Sequence, residues 1–343
     1  MSYTNGLDKP TDYFNTVLYS GNSSTNAITG VGHQPDFTWI KRRNNAEGHI
    51  LIDSVRGVDK RLGSNITNAE STVTYFTSFD TDGFTVNGTN VATNVSGGTF
   101  CAWNWLASNT TASNTDGSIT SSVSANTTAG FSIVSYTGTG SNATVGHGLG
   151  VAPAMYIVKN RSDNDSWGVY HKSLGATKYL RLQGTDASAT SSVWWNDTEP
   201  TSSVFSVGTA VATNSSSENL IAYCFAEKKS FSKFGSYTSN NNADGPMIWT
   251  GFKPAFLLLK NSSEGGTGWE IYDNKRTPTN VANLFLRANT TEADISSDRL
   301  DILSNGFKLR QVGDTNYSNN NIIYMAFAEN PFVTSTGIPT TAR

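Results

Sequence analysis

The chain has 343 residues, of which 37% are hydrophobic and 15% charged, with a net charge of −3 and eight Trp, 13 Tyr and 17 Phe. The aromatic content excludes a disordered chain, because disordered segments lack such large apolar side chains. The negative net charge argues against nucleic-acid binding, which requires a basic surface that displaces counterions; the basic cluster that stands out is Lys41-Arg42-Arg43.

Residues 1–5 show neither the basic start nor the apolar run of a secretory signal, and no stretch approaches the ~20 apolar residues of a membrane helix. We therefore expect synthesis in a cytoplasm and no passage of the chain through a membrane by itself. The two cysteines, Cys101 and Cys224, lie in apolar stretches and are expected to be small buried residues rather than a disulfide or a ligand pair. No cofactor and no metal is expected.

One pattern occurs three times along the chain. It consists of Gly-x-x-Pro, about five largely apolar residues, Lys and a polar turn, and its copies cover residues 32–43, 150–161 and 251–262. Proline fixes φ in the loop, and the apolar run predicts a strand that is buried on both faces.

The segments around this pattern also repeat. A short strand is predicted after each copy, at residues 49–53, 167–171 and 269–273, which makes a hairpin in each unit. Each unit then closes on a strand in which an aromatic residue follows Ala, namely Ala102-Trp103, Ala222-Tyr223 and Ala326-Phe327. Six to eight short strands per unit, with no helical period, predict a self-sufficient two-sheet β-sandwich.

The predicted fold class is therefore all-β, with three tandem diverged β-sandwich units. The units cover residues 1–108, 129–229 and 230–343, and residues 109–128 form a polar linker. Within this linker, Ile119 and Val123 would allow part of the segment to add an edge strand instead.

Several stretches of the first unit resemble a repeated domain of tailed-phage virion proteins, common in viruses of marine bacteria. These stretches are residues 13–22, 32–41, 53–57, 79–84 and 102–105. In the second unit, His147-Gly148-Leu149-Gly150 with Pro153 resembles a stretch that is frequent in phage tail proteins. The resemblance implies a concanavalin-like jelly-roll fold and a role as tail fibre, tail appendage or capsid decoration. It does not imply an enzymatic activity.

The candidate ligand-binding residues are Trp194, Trp195, Asn196 and Asp197. Successive strand residues face opposite ways, so one indole is expected to be buried and the other exposed or covered by a partner. An exposed Trp beside Asn and Asp is typical of a sugar-stacking site and equally of a protein interface, while packing against a neighbouring unit is a third interpretation.

Two acidic segments suggest other chemistry. The segment 80–83, Asp-Thr-Asp-Gly, suggests a calcium loop, but the further oxygen ligands are missing and an Asp-Gly hairpin turn explains the same residues. The second segment contains Glu292, Asp294, Asp298 and Asp301, which could be paired glycosidase carboxylates or a solvated loop and strand edge.

We therefore expect a non-enzymatic structural protein on the surface of a phage particle. Its expected partners are other virion proteins and host surface glycans, with no nucleic acid and no membrane, and we expect a homo-oligomer, with a trimer favoured. The alternatives are a glycan-degrading enzyme and a free lectin on a concanavalin-like fold.

Overall fold

The computed structural model describes residues 6–340, and almost all of the regular structure is β-strand. The predicted all-β class is confirmed. The helical elements are a 3-10 turn at Pro10–Asp12 and two short helices, α1 (Ser192–Trp195) and α2 (Val211–Asn214).

The strands fall into three successive groups, called units 1 to 3. Unit 1 contains β1 (Phe14–Ser20), β2 (Asn26–Ile28), β3 (Phe37–Arg42), β4 (Ile50–Asp53), β5 (Lys60–Arg61), β6 (Ser71–Thr72), β7 (Phe76–Asp80), β8 (Gly83–Val86) and β9 (Thr99–Trp105). Unit 2 contains β10 (Ala112–Asn114), β11 (Ser121–Asn126), β12 (Phe131–Thr137), β13 (Ala143–Gly146), β14 (Met155–Asn160), β15 (Gly168–His171), β16 (Lys178–Arg181), β17 (Ala189–Thr190), β18 (Val204–Val207) and β19 (Asn219–Phe225). Unit 3 contains β20 (Ser232–Thr238), β21 (Met247–Trp249), β22 (Phe252–Asn261), β23 (Trp269–Asp273), β24 (Ala282–Arg287), β25 (Ile295–Leu303), β26 (Gly306–Leu309) and β27 (Asn321–Pro331).

The same antiparallel four-strand sheet occurs in every unit. Its order is β1-β9-β3-β4 in unit 1, β12-β19-β14-β15 in unit 2 and β20-β27-β22-β23 in unit 3. The central strands β3, β14 and β22 are almost completely buried, as the apolar run after each Gly-x-x-Pro predicted. Smaller sheets and added edge strands cover the outer face of each four-strand sheet.

The inner faces of the three sheets meet in one common core. In unit 1, Phe37 and Trp39 face this common core, while Ile40 packs into a separate outer core with β2, β7 and β8. Aromatic rings touch across all three boundaries: the ring centroids of Phe37 and Tyr223 are 4.4 Å apart, those of Phe14 and Phe327 5.0 Å and those of Phe225 and Phe234 6.3 Å. One face of each sheet is thus covered by the other two units, which argues against units that are each self-sufficient.

Two sets of hydrogen bonds run around this core in cyclic order. In the first set, a side chain at the start of the second hairpin strand donates to a backbone carbonyl of the preceding unit. The three bonds are Trp167 Nε1 to Gly63 O (2.9 Å), Trp269 Nε1 to Arg181 O (3.0 Å) and His49 Nε2 to Arg287 O (3.0 Å). Unit 2 thus contacts unit 1, unit 3 contacts unit 2, and unit 1 contacts unit 3. The rotation between units closes on itself, as in a cyclic trimer.

The second set lies at the end of the same hairpin strand, where Asp53, His171 and Asp273 occupy equivalent positions opposite Phe37, Met155 and Phe256. Each contacts the last strand of the next unit. The bonds are Tyr223 Oη to Asp53 Oδ2 (2.7 Å), His171 Nε2 to Tyr324 O (3.1 Å) and Trp103 Nε1 to Asp273 Oδ2 (3.1 Å). Both aspartates also form a buried ion pair, with Arg56 and Arg276 respectively.

The lysine of the repeated pattern is buried in every unit. Lys41, Lys159 and Lys260 are fully inaccessible, and each Nζ donates to backbone carbonyl oxygens near the end of its strand. Burial lowers the pKa of each of these lysines to about 8. The conserved spacing of this lysine in the pattern therefore has a structural reason, which is to supply donors to carbonyls that no strand covers.

Two sequence-based assignments need correction. The segment predicted as a polar linker, 109–128, contains β10 and β11, which extend the sheet of unit 2; Ile119 and Val123 are buried, so the edge-strand interpretation is correct. In the closing strand of unit 3, the sequence pattern places Phe327 at the position equivalent to Trp103, which is wrong by two residues. Phe327 pairs with Phe256 as Trp105 pairs with Phe37, so the equivalent of Trp103 is Met325.

Candidate functional site

The predicted ligand residues Trp194 and Trp195 lie on helix α1 and not on a strand. Both indoles are buried, with exposed fractions of 6% and 0%, and Trp195 packs on the ring of Tyr156 at a centroid distance of 4.9 Å. The ring of Trp194 stacks on Tyr179 at 4.0 Å. The expectation of a strand with one exposed indole is therefore wrong at these positions. The two indoles pack inside unit 2 and not against a neighbouring unit, so the observed contacts match none of the three interpretations.

The two residues that follow, Asn196 and Asp197, are exposed and have positive φ values of 52° and 48°. The Oδ1 atom of Asn196 accepts a hydrogen bond from Asn142 Nδ2 at 2.7 Å. Polar side chains with a left-handed backbone are typical of a tight turn after a helix. A binding role for Asn196 and Asp197 stays a prediction.

Three of the four histidines are held as neutral rings by their neighbours. In His49, His147 and His171, Nδ1 accepts an N–H group and Nε2 lies against a carbonyl oxygen, so Nε2 carries the hydrogen. Burial lowers the pKa of His49 to about 3 and that of His171 to about 4. Rings fixed in this way stabilise the fold and are not placed to exchange protons with a substrate.

The cysteines are free and fully buried. Burial raises the pKa of both thiols, so neither carries the thiolate that nucleophilic or metal-binding cysteines need. Cys101 and Cys224 are thus buried strand residues, as the sequence indicated.

The carboxylates of the acidic segment in unit 3 are largely paired with arginines. Asp294 binds both Arg43 of unit 1 and Arg276, so it belongs to the boundary between units 3 and 1. Glu292 pairs with Arg287, and Asp301 with Arg310. These contacts explain the segment without a pair of glycosidase carboxylates.

The segment 80–83 forms the hairpin turn between β7 and β8. Asp80 accepts hydrogen bonds from Ser78 and Thr85, and Asp82 accepts from the N–H groups of Gly30 and Gly32. These backbone bonds hold the pKa of Asp82 below its usual range. Within residues 6–340, no group of three His, Cys, Asp or Glu side chains is arranged to hold a metal ion.

Glu270 is a buried acidic residue that was not among the candidates predicted from the sequence. Burial raises the pKa of Glu270, which is the kind of shift that a general acid requires. Its two oxygens, however, receive hydrogen bonds from Tyr272 and Thr315 and an ion pair from Arg299. Glu270 is therefore part of a satisfied buried network in unit 3.

A depression at the edge of unit 3 has the features of a binding site. It has a volume of about 610 Å³, within the range of about 300–1,000 Å³ common for small-molecule sites. We call it the Asn274 groove; its polar wall contains Lys253, Asn274, Asn280, Asn305, Glu329 and Asn330. The apolar part of the wall includes Pro278, Ile302 and Leu303.

Asn274 carries a buried oxygen in this groove that forms neither a hydrogen bond nor an ion pair, whereas Glu329 Oε2, which also accepts no hydrogen bond, is ion-paired with Lys253. The exposed fraction of Asn274 is 8%, yet its Oδ1 atom has no hydrogen-bond partner. A buried polar atom without a partner costs about 1–3 kcal/mol, so such an atom on the wall of a cavity indicates a place where a ligand can donate. The amide of Asn280, by contrast, is fully engaged with the backbone of Ile302.

The positions equivalent to Asn274 in the other two units have different surroundings. The equivalent residues are those directly after Asp53, His171 and Asp273, namely Ser54, Lys172 and Asn274. The backbone N–H of each donates to a backbone carbonyl oxygen, that of Asp36, Ala154 and Ala255 respectively. In unit 1 the carboxylate of Asp36 also accepts from Ser54 Oγ at 2.6 Å and from the backbone of Ala107 at 2.7 Å. In unit 3 the corresponding residue is Ala255, whose small side chain does not fill the space beside Asn274 as Asp36 fills the space beside Ser54.

Unit 2 has a charged version of the same depression. Lys172 forms an ion pair with Glu227, and Glu199, Lys228 and Lys229 also line the cavity, whose volume is about 470 Å³. Glu227 is the equivalent of Glu329, because both lie two residues after the paired phenylalanine of the last strand. The same place therefore differs among the three units. In unit 1 the carboxylate of Asp36 fills it, in unit 2 it is lined by charged side chains, and in unit 3 it is an open groove lined by amides.

An exposed tryptophan lies next to the Asn274 groove. Trp249 is 58% exposed, and together with Phe332 it borders a second depression of about 650 Å³. Lys233 Nζ lies 5.3 Å from the centre of a Trp249 ring. An exposed indole thus occurs at Trp249, which is not among the predicted ligand residues. The alternation of exposed Met247 and Trp249 around buried Ile248 was the signal that could have found it.

The fold and its surface depressions define a protein of three fused β-sandwich units with polar grooves at their edges. No helix within the described residues is long and apolar enough to cross a membrane. The chain belongs to the family described as Domain of unknown function (DUF7483), whose model matches residues 9–331. This single match spans all three units, in agreement with their common core. No curated protein matches the chain, and no solved structure matches it.

Proposed function

We propose that the chain is a non-enzymatic structural protein on the surface of a tailed-phage particle, where it binds neighbouring virion proteins and host surface glycans. The observation that carries this proposal is the common core of the three units. Its cyclic boundaries contain buried ion pairs and hydrogen bonds, so the body resists separation of one unit from another. A structure of this kind suits a rigid element that presents loops and grooves to the exterior.

The chemistry of the titratable groups supports a structural role. The histidines, both cysteines and Glu270 are engaged in buried contacts that stabilise the fold. A glycan-degrading enzyme on this fold requires two carboxylates that face each other about 5–10 Å apart across a groove. In the acidic segment that suggested this alternative, Glu292, Asp294 and Asp301 are paired with arginines.

The oligomeric state follows a separate line of reasoning. We expected a homotrimer, and one chain already arranges three equivalent sheets around a closed ring. A homotrimer would therefore present nine units. The trimer stays a prediction, and the mass of the purified chain in solution tests it.

The proposal is tested by quantitative mass spectrometry of gradient-purified particles from a phage that encodes this chain. The number of copies is measured relative to the major capsid protein. Hundreds of copies would indicate a head decoration, and a handful to a few dozen would indicate a tail fibre or appendage. Absence from the particle would overturn the proposal and favour the free lectin or the enzyme.

A further inference from the structure

We propose that the Asn274 groove binds a neutral carbohydrate through amide and hydroxyl groups of unit 3. This inference rests on the binding role proposed above and adds the site and the class of ligand. The purified chain suffices to test it, so the result does not depend on where the protein is located.

The first argument is the unsatisfied amide. Asn274 is more than nine-tenths buried and lines the cavity, and its Oδ1 atom accepts no hydrogen bond. A ligand that satisfies Asn274 Oδ1 must therefore donate a hydrogen bond, and a sugar hydroxyl can do so. In unit 1 the side chain at this position, Ser54, is satisfied by Asp36 from within the protein. Unit 3 has Ala255 in place of that aspartate, so the space beside Asn274 is not filled by a carboxylate.

The second argument is the charge of the groove. Lys253 Nζ lies 2.6 Å from Glu329 Oε2, so the cation and the anion of the wall neutralise each other. An anionic ligand such as a phosphate would require a cation that is free to bind it. The pair can still contribute one donor and one acceptor to a neutral ligand. Neutral ligands with many hydroxyl groups therefore fit this wall better than charged ones.

The third argument is the composition of the wall. Asn305 and Asn330 supply further amides, and each amide can both donate and accept. Pro278 and Ile302 provide apolar surface, on which the C–H face of a sugar ring can pack. A volume of about 610 Å³ offers room for a small saccharide. The combination of planar amides and limited apolar surface matches the two faces of a pyranose.

The experiment is isothermal titration calorimetry of the purified full-length chain against maltose, lactose and mannobiose, with sialyllactose and inorganic phosphate as charged probes. We expect binding of at least one neutral disaccharide. The change Asn274→Ala should weaken that binding about tenfold or more, because it removes a buried acceptor. Asn330→Ala is a second variant at the rim, and Ala255→Asp should block the groove by placing a carboxylate beside Asn274, as Asp36 lies beside Ser54.

The matched control is Lys172→Ala, which alters the equivalent position of unit 2, and it should leave the affinity unchanged. A second control, Trp249→Ala, alters the neighbouring depression and should also leave the affinity unchanged. It therefore distinguishes binding in the Asn274 groove from binding in that depression. No binding of any neutral disaccharide by the folded chain would overturn the proposal. Binding that survives Asn274→Ala and Asn330→Ala, binding lost with Trp249→Ala alone, or preferential binding of a charged probe would overturn it as well.

Discussion

Tyr223 of unit 2 donates its hydroxyl hydrogen to the carboxylate of Asp53 in unit 1, at an Oη–Oδ2 distance of 2.7 Å. The same carboxylate receives the guanidinium of Arg56, and all three side chains are buried. This contact joins two units by a charge-assisted hydrogen bond inside a core that excludes water. It therefore has a larger effect on stability than a surface contact of the same length.

The change Tyr223→Phe removes the hydroxyl and leaves the ring in place. We expect a loss of about 1–3 kcal/mol in the free energy of unfolding, because Asp53 loses a donor in a site that water does not reach. Chemical denaturation measures this change. The control is Tyr317→Phe, at a residue that is 48% exposed and should change stability by less than about 0.5 kcal/mol. Equal effects of the two changes would contradict the importance of the contact.

Thermal unfolding should occur in a single transition for the whole chain. The reason is that residues of all three units form the common core, so the loss of one unit exposes the inner faces of the other two. Differential scanning calorimetry should give a van't Hoff enthalpy close to the calorimetric one. Phe84→Ala in the outer core of unit 1 should lower the temperature of this one transition. A separate early transition in that variant would show that unit 1 unfolds independently.

Acid should weaken the boundary between units 2 and 3 through His171. Its pKa is lowered to about 4 in the folded chain, from 6.5 in the unfolded chain. Above pH 6.5 the ring is neutral in both states. Between pH 6.5 and about 4 the unfolded chain takes up a proton that the folded chain does not, so stability falls with decreasing pH. The loss attributable to this group reaches about 3 kcal/mol near pH 4.

The test compares the unfolding free energies of the native chain and of His171→Gln between about pH 7.5 and pH 4.5. Glutamine keeps a donor for the Tyr324 carbonyl and does not titrate, so the variant should lose less stability on acidification. The other histidines, such as His49, contribute in the same direction in both proteins and cancel in the comparison. Parallel pH profiles would contradict the prediction.

Truncation of Trp195 and of Trp249 to alanine should have very different effects on the free energy of unfolding. Trp195→Ala should cost about 3–5 kcal/mol of stability, because the indole is fully buried against Tyr156. Trp249→Ala should change stability by less than about 0.5 kcal/mol, since 58% of that residue is exposed. Urea denaturation of both variants measures the difference. A large effect at Trp249 would show that its ring has a structural role.

The local pattern of the sequence predicted the strands well. The apolar run of each Gly-x-x-Pro copy forms a strand buried on both faces, and the following hairpin strand lies where the sequence placed it. The loop expected at the proline is wrong in the third copy, where Pro254 lies within β22 at a bulge. Side chains in a strand alternate between its two faces, so a shift of the alignment by two residues keeps every side chain on the same face. The hydrophobic pattern therefore does not distinguish two registers that differ by two residues. The alignment of Phe327 with Trp103 failed for this reason, and pairing with Phe256 resolved it.

The tryptophan assignments failed for a different reason. The residues around Trp194 and Trp195 were interpreted with the strand period, but a one-turn helix places both indoles inward. Four residues are too few for a helical period to be recognised in a sequence. At Trp249 the alternation of Met247 and Trp249 around buried Ile248 indicates a strand with one exposed face. The position of β21 at the end of its sheet decides that this face stays uncovered.

The sequence by itself determined the all-β class, the repeated hairpins and the buried central strand of each unit, because these depend on the alternation and spacing of neighbouring residues. Only the tertiary structure decided that the units share one core, that Asp53, His171 and Asp273 close a ring of contacts, and that Asn274 has no partner. These features depend on groups distant in sequence that lie within a few ångströms of each other in the folded chain. Whether a buried polar atom is satisfied is decided by those distant neighbours, and not by the residues beside it in the chain.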